Sequence, residues 1–276
     1  MACRRGIALF VVLLPLGLTG CMGGGEKAAG TSSAQAVGNI YEVCAKAGDL
    51  DKAAYFDAFK KSSDMAKTAH LEGKMEATAQ VSAGSAGAAQ SGSFTGDVDV
   101  TDASNPKTSM KVSVQGNDID VILLDKLVYM KMGSLTNGKY MKASVEEMAS
   151  KGGFDMQAMT NPAAQLEKSR DAITKVSCVG REDVSGNKAV HVRVTIDAEK
   201  SAALLNPGGS SSSSAKSTPG STPQSIEGDQ WFDEKGRLLK IDTGSGATKM
   251  SMTYSKWNEP VSITAPPADM TMPMPA

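Results

Sequence analysis

Histidine is nearly absent from this chain, with 2 residues, His70 and His191, and cysteine is limited to 4. A His-rich metal centre and a Cys₄ zinc site both need more ligands than that leaves free. Aromatic residues are few, at 2 Trp, 5 Tyr and 6 Phe, while Met reaches 16. A large core must then be built from Val, Ile, Leu, Ala and the adaptable Met. No charge of one sign dominates: 29 Lys+Arg stand against 30 Asp+Glu. That excludes the basic face a nucleic-acid binder needs. The 41% hydrophobic content and net charge of −1 exclude a wholly disordered chain. Signatures of the G-x-S-x-G, H-E-x-x-H, Walker A and G-x-G-x-x-G-after-strand kinds are missing. Past the N-terminal residues, no apolar run approaches the ~20 residues of a membrane-spanning helix.

The N-terminus has its own logic. Arg4 and Arg5 precede an apolar run from Gly6 to Leu18, which is too short to span a membrane and suits a secretory signal. The run ends Leu18-Thr19-Gly20-Cys21, small residues before a cysteine, as in a bacterial lipobox. The expectation is cleavage before Cys21 and attachment of a diacylglyceryl group, with palmitate-type chains, to its thiol. Two acyl chains anchor a protein stably where one does not. The alternative is an ordinary signal with an accidental cysteine. A Gly/Ala/Ser-rich stretch from Gly23 to Gly38 then reads as a flexible tether reaching about 22 Å. The division expected is signal peptide 1–20, tether 21–38, one domain 39–267 and a loose tail 268–276.

Within the domain, Ile40, Val43 and Ala47 mark a short helix, and Asp51 caps a longer one from Lys52 to about Thr68. The period then drops to two. Alternating segments end on turn signals such as Gly116-Asn117, Asp125-Lys126 and Asn137-Gly138. These predict consecutive antiparallel strands with one apolar and one wet face. A helical interlude opens with the capping box Ser144 to Glu147 and resumes at Pro162, with Ala163, Leu166, Arg170 and Ile173 on one face. Strands return on both sides of Ser185-Gly186-Asn187. A low-complexity loop, 207–224, is too polar to bury, and Val261 and Ile263 fall in a last strand. The class expected is α+β: a curved antiparallel sheet of about ten to eleven strands covering a few helices.

The C-terminal segment carries Tyr254, Ser255, Trp257, Pro260, Val261 and Pro266, and a hairpin before it carries Trp231-Phe232-Asp233 and Gly236-Arg237-Leu238. With the lipobox and the order of elements, this resembles the actinobacterial lipoproteins of the LppX/LprAFG type, in the LolA-like superfamily. The order of elements matches from Lys52 to Pro267, and the motifs cover the last stretch of that range. The resemblance implies a half-barrel wrapped over helices with an apolar cavity between. It implies a non-enzymatic carrier, without cofactor or metal, held by its lipid anchor on the extracytoplasmic face of the cell membrane. The partners implied are an acylated lipid or glycolipid, the membrane itself and an envelope transporter. The Ser-rich loop is longer than that family leads one to expect.

Two sets of residues follow from the pattern. Once Cys21 is acylated, Cys44 and Cys178 are the pair left in an oxidising compartment, and they form either a disulfide or two buried thiols. Met75, Val98, Val112, Val121, Met130, Val192, Val194, Met250 and Met252 each sit on the apolar phase of a strand, which puts them on one sheet face. They line either a lipid cavity or a solid core. The second case makes the chain an interaction or sensor lipoprotein that binds an envelope protein. His70 with His191 as a catalytic pair, and Asp118 with Asp120 as a calcium site, are weaker readings; a solvated strand face accounts for the two aspartates.

Overall fold

The computed structural model describes residues 38–77, 90–150, 169–205, 225–245 and 248–274. The signal, the tether up to residue 37, the Ser-rich loop and the first part of the helix expected from Pro162 lie outside these residues, while residues 169–172 at the end of that helix are helical.

Two helices start the domain. Helix α1, Ile40–Val43, is capped by Asn39, whose side chain accepts from the Glu42 amide while Glu42 reaches back to the Asn39 amide. Helix α2, Lys52–Asp64, starts where the Asp51 carboxylate accepts from the Ala54 amide at 3.0 Å. Its inward stripe of Tyr55, Phe56, Ala58 and Phe59 is buried.

The strands in chain order are β1 Gly48–Asp49, β2 Thr68–Ala77, β3 Gln90–Asp99, β4 Lys107–Val114, β5 Asn117–Leu124, β6 Leu127–Lys131 and β7 Tyr140–Ser144. Then come β8 Ile173–Val184, β9 Asn187–Asp197, β10 Ser225–Asp233, β11 Leu238–Ser245, β12 Thr248–Ser255 and β13 Thr271–Pro273. Helix α3, Val145–Ser150, follows β7, and helix α4, Ala198–Leu205, follows β9. The Ser144 hydroxyl accepts from the Glu147 amide at 3.0 Å, as the capping signal requires. The hairpin turns fall near the expected places, the first of them one residue earlier than Gly116-Asn117 because Asn117 already opens β5. Gln115-Gly116, Asp125-Lys126 and Ser185-Gly186 all have positive φ at both central residues, the geometry of two-residue turns that follow strand twist.

One sheet results, in the order β1-β8-β9-β10-β11-β12-β2-β3-β4-β5-β6-β7-β13. All pairings are antiparallel except β13 on β7. Among the described residues the sheet has 13 strands where about ten or eleven were expected, because both edges carry short additions. Residues 268–276, expected as a loose tail, contain a 3₁₀ turn at Ala268–Met270 and strand β13, which pairs Thr271 with Tyr140 and Met272 with Met141. The prolines there hide a strand, since a parallel edge strand tolerates a residue that donates no hydrogen bond. Val261 and Ile263 lie in irregular chain, and Ile173 opens β8 instead of closing a helix.

The two helices fill the concave side of the β8–β12 half. Phe59 meets Phe232 edge-to-face, with ring centroids 5.8 Å apart, and the Tyr55 hydroxyl donates to Gln230 Oε1 at 2.8 Å. The main core joins Ile40, Phe56, Leu71, Val98, Val176, Val190, Val192, Val194, Phe232, Met252 and Tyr254. Cys44 and Cys178 are bonded as a disulfide with Cα atoms 5.4 Å apart, which fastens α1 to β8. The hairpin between β10 and β11 clasps the helix ends. Gly236, with φ +79°, sits where a Cβ would fall 2.6 Å from Ser62 Oγ and 3.0 Å from Asn39 Cβ. A second fastening follows β12, where Asn258 accepts from the Lys67 amide at 2.8 Å and donates to the Met65 carbonyl at 3.1 Å.

Candidate functional site

Strand register decides which side chains share a face, because cross-strand partners point the same way. One row runs Val192, Gln230, Ile241, Met252, Gly73, Phe94, Val112, Ile119. Another runs Tyr254, Leu71, Gly96, Met110, Val121, Met130, Met141, Met272. A third holds Val194, Gly228, Thr243, Met250, Met75, Gly92 and Val114. Eight of the nine residues expected to face inward stand in these rows, and Val98, two residues along β3 from Gly96, shares their face. Rows across eight strands carry no ionised side chain, with Gln230 and Thr243 among the few polar ones.

The nine divide by cover. Val98, Val192, Val194 and Met252 are 3%, 0%, 2% and 1% exposed and belong to the closed core. Met75, Val112, Val121, Met130 and Met250 are only half-buried, on the part of the face that α1 and α2 do not reach. Met110, Met141 and Met272 share that state and the same row, though they were not among the nine. Four glycines, Gly73, Gly92, Gly96 and Gly228, stand in these rows and add no side chain to them. Phe94 folds over Gly73 in the room this leaves, while a Cβ on Gly228 would meet nothing nearer than 3.9 Å. Helix α3 closes one end of the face, where Val145 and Met148 pack on Leu123 and Val128. At the sheet edge a crevice of about 440 Å³ opens between β7 and β13, lined by Leu127, Ala143, Glu147 and Met272 among others.

The opposite face is polar and ion-paired. His191 stacks on Trp231 at 4.5 Å and lies between Asp229, 2.7 Å from its Nε2, and Glu182, 3.2 Å from its Nδ1. The Trp231 indole donates to Glu182 at 2.5 Å, and Lys240 sits 4.6 Å above the same ring. Burial alone would raise the Asp229 carboxyl; the hydrogen bonds from Arg193 and His191 outweigh it and hold the group below the ordinary carboxylate range. His70 pairs instead with Asp97 at 2.7 Å. It sits four strand spacings from His191 in the order β9-β10-β11-β12-β2, about 19 Å, so the two histidines do not meet. Asp118 is held by Ser113 and Lys111, and Asp120 by Lys131 at 2.5 Å. Among the described residues no group of His, Cys, Asp and Glu could hold a metal ion. Among them, too, no helix is long and apolar enough to cross a membrane.

Several known proteins are similar to the chain. The chain is 25% identical over 117 residues to the lipoarabinomannan carrier protein LprG of Mycobacterium leprae (strain TN), a stretch covering 41% of this chain and 44% of that relative. It thus spans less than half the length of that relative. Lipoprotein LppX of Mycobacterium tuberculosis superposes over 78% of this chain and 100% of its own, with 15% identity and a TM-score of 0.49. LprF of Mycobacterium bovis covers 79% and 99%, with 16% identity and a TM-score of 0.49. The model of the LppX_LprAFG lipoproteins matches residues 77–263, more than half of the chain, and the protein belongs to that family.

Proposed function

We propose that this lipoprotein binds an acylated lipid or glycolipid on the half-covered apolar face and carries it within the cell envelope. The observation behind this reading is the uncharged, half-buried surface formed by Met75, Val112, Val121, Met130 and Met250 with their row neighbours. Burying each CH₂ contributes ~0.8 kcal/mol, so a 16-carbon chain leaving a bilayer forfeits on the order of 12 kcal/mol. Only a comparably apolar surface offsets that loss, and thioether side chains adapt to chains of varied shape. The relative named a lipoarabinomannan carrier supports a glycolipid as one form of cargo. Val98, Val192, Val194 and Met252 serve as the solid floor behind the site.

The site is non-enzymatic in this reading, and an envelope transporter supplies or receives the cargo. Cys21, carrying the lipid anchor, keeps the domain at the extracytoplasmic face of the membrane. Native mass spectrometry of the protein purified from its own membrane tests the central claim. Acyl-lipid adducts that survive gentle ionisation are expected. A spectrum with bare protein alone, under conditions that retain lipid on a control carrier, overturns it.

A further inference from the structure

Methionine is distributed unevenly over this fold. The closed core holds Met252, whereas one corner of the apolar face gathers Met130, Met132, Met141, Met272 and Met274. Register puts Met272, Met141 and Met130 side by side on the adjacent strands β13, β7 and β6. Met274 lies two residues beyond Met272, past the exposed Pro273, and its amide donates to the Lys142 carbonyl at 3.2 Å. Alternation turns both thioethers to the same side. All of these methionines are half-buried: reachable from solvent, yet shielded on one side.

Apolar area alone does not ask for thioethers, since Leu, Ile and Val supply as much, and a thioether also adapts to a varied acyl chain. What it adds besides is a soft donor atom. Neighbouring strands lie about 4.8 Å apart. Three sulfurs around one ion at a metal–sulfur distance of about 2.3 Å stand about 4 Å from each other. Met141 is one spacing from each neighbour, while Met130 and Met272 are two spacings apart, about 9.6 Å, so the outer two side chains, each with three rotatable bonds, have to bend inward over Met141 to share an ion. Neutral thioethers select a soft monovalent ion and leave hard divalent cations unbound, because those require oxygen ligands. Competing cations are turned away: Lys131 and Lys142 alternate onto the other face, 5.0 Å over Tyr140 and 5.8 Å over Tyr129. The crevice of about 440 Å³ beside Met272, which Lys142 and Glu147 also line, gives an entry path. We propose that Met130, Met141 and Met272, flanked by Met274, form a thioether site for Cu(I). The site stands on strand register alone and does not depend on lipid binding.

The test is a competition titration. Delipidated protein starting at position 21, with Cys21→Ser to remove its thiol and the Cys44–Cys178 disulfide intact, receives Cu(I) under ascorbate against bicinchoninate. Transfer of one Cu(I) per chain is expected, with a sulfur-only shell in X-ray absorption at the copper edge. The volume-conserving pair Met141→Leu/Met272→Leu should weaken binding by about tenfold or more. Met65→Leu, at the end of α2, should leave it unchanged. Failure of the parent to take copper from the competitor, a shell of nitrogen or oxygen, or equal affinity in the double variant overturns the proposal. Circular dichroism of each variant separates lost ligands from lost folding.

Discussion

Two tryptophan substitutions on the same face separate a carrier from a packed interior. Val194 is 2% exposed and stands between Val176 and Gly228 in the closed core. An indole there has to push aside well-packed neighbours, at a cost of about 1–3 kcal/mol. For a domain of this size each kcal/mol moves the melting midpoint by about 2–4 °C, so Val194→Trp should lower it by about 2–12 °C. Val112 lies between Phe94 and Ile119 on the half-buried part of the face. Its indole can extend from the half-buried face toward solvent, and the midpoint of the delipidated protein should hold within about 2 °C. The same indole covers surface that a ligand would use. Masking three methylenes removes about 2.4 kcal/mol of burial, roughly fifty-fold in affinity. Differential scanning calorimetry gives the first quantity, and lipid extraction with mass spectrometry gives the second. If Val112→Trp destabilises as much as Val194→Trp and leaves lipid content unchanged, the face is an ordinary interior and the carrier reading fails.

Four further outcomes follow from the same contacts. The Cys44–Cys178 bridge has a sequence separation of 134, and loop-closure entropy then assigns it about 5 kcal/mol; Cys44→Ala/Cys178→Ala should melt about 10–20 °C lower, and a drop under about 3 °C would refute that account. Gly236→Ala places a Cβ on Ser62 and Asn39 at positive φ, so the urea midpoint should fall by the equivalent of about 1–3 kcal/mol, and an unchanged midpoint would show that the clasp is not tight. Asp229 is depressed in the folded state, so its stabilisation is present above the unfolded value near 3.9 and fades as pH falls through the lower folded value; the stability gap between the parent and Asp229→Asn should therefore close below about pH 4, and a gap constant across that range would contradict the pairing. Cys21→Ser should move the protein from the detergent phase to the aqueous phase, and retention in detergent as a diacylated species would remove the anchor.

Local periodicity explains why so much of the sheet could be read from residues alone. Hairpin register is set by turns of two residues, and each turn that was legible, such as Asp125-Lys126, fixes its two strands without reference to the rest of the chain. Hence the nine inward positions share a face. What the alternation cannot carry is cover. Val112 and Val192 have the same pattern of neighbours in sequence and lie in the same cross-sheet row. One is half-buried and the other is 0% exposed, because α1 and α2 sit over β8–β10 and stop short of β4. That seat depends on β12 joining β2, a pairing between residues such as Met252 and Gly73 that no local signal announces. The same non-locality hid β13, which exists only because β7 offers an edge, and hid the stack of His191 on Trp231, which needs the β9–β10 register across the Ser-rich loop. The disulfide was legible for the opposite reason: elimination left one pair, and the alternative of two buried thiols falls because β8 brings Cys178 within 5.4 Å of Cys44 between Cα atoms. Function divides in the same way. The apolar phase of each strand is written locally, but whether it faces a helix or a ligand is settled by which strands the chain brings together from 181 residues apart, as Glu72 and Thr253 are.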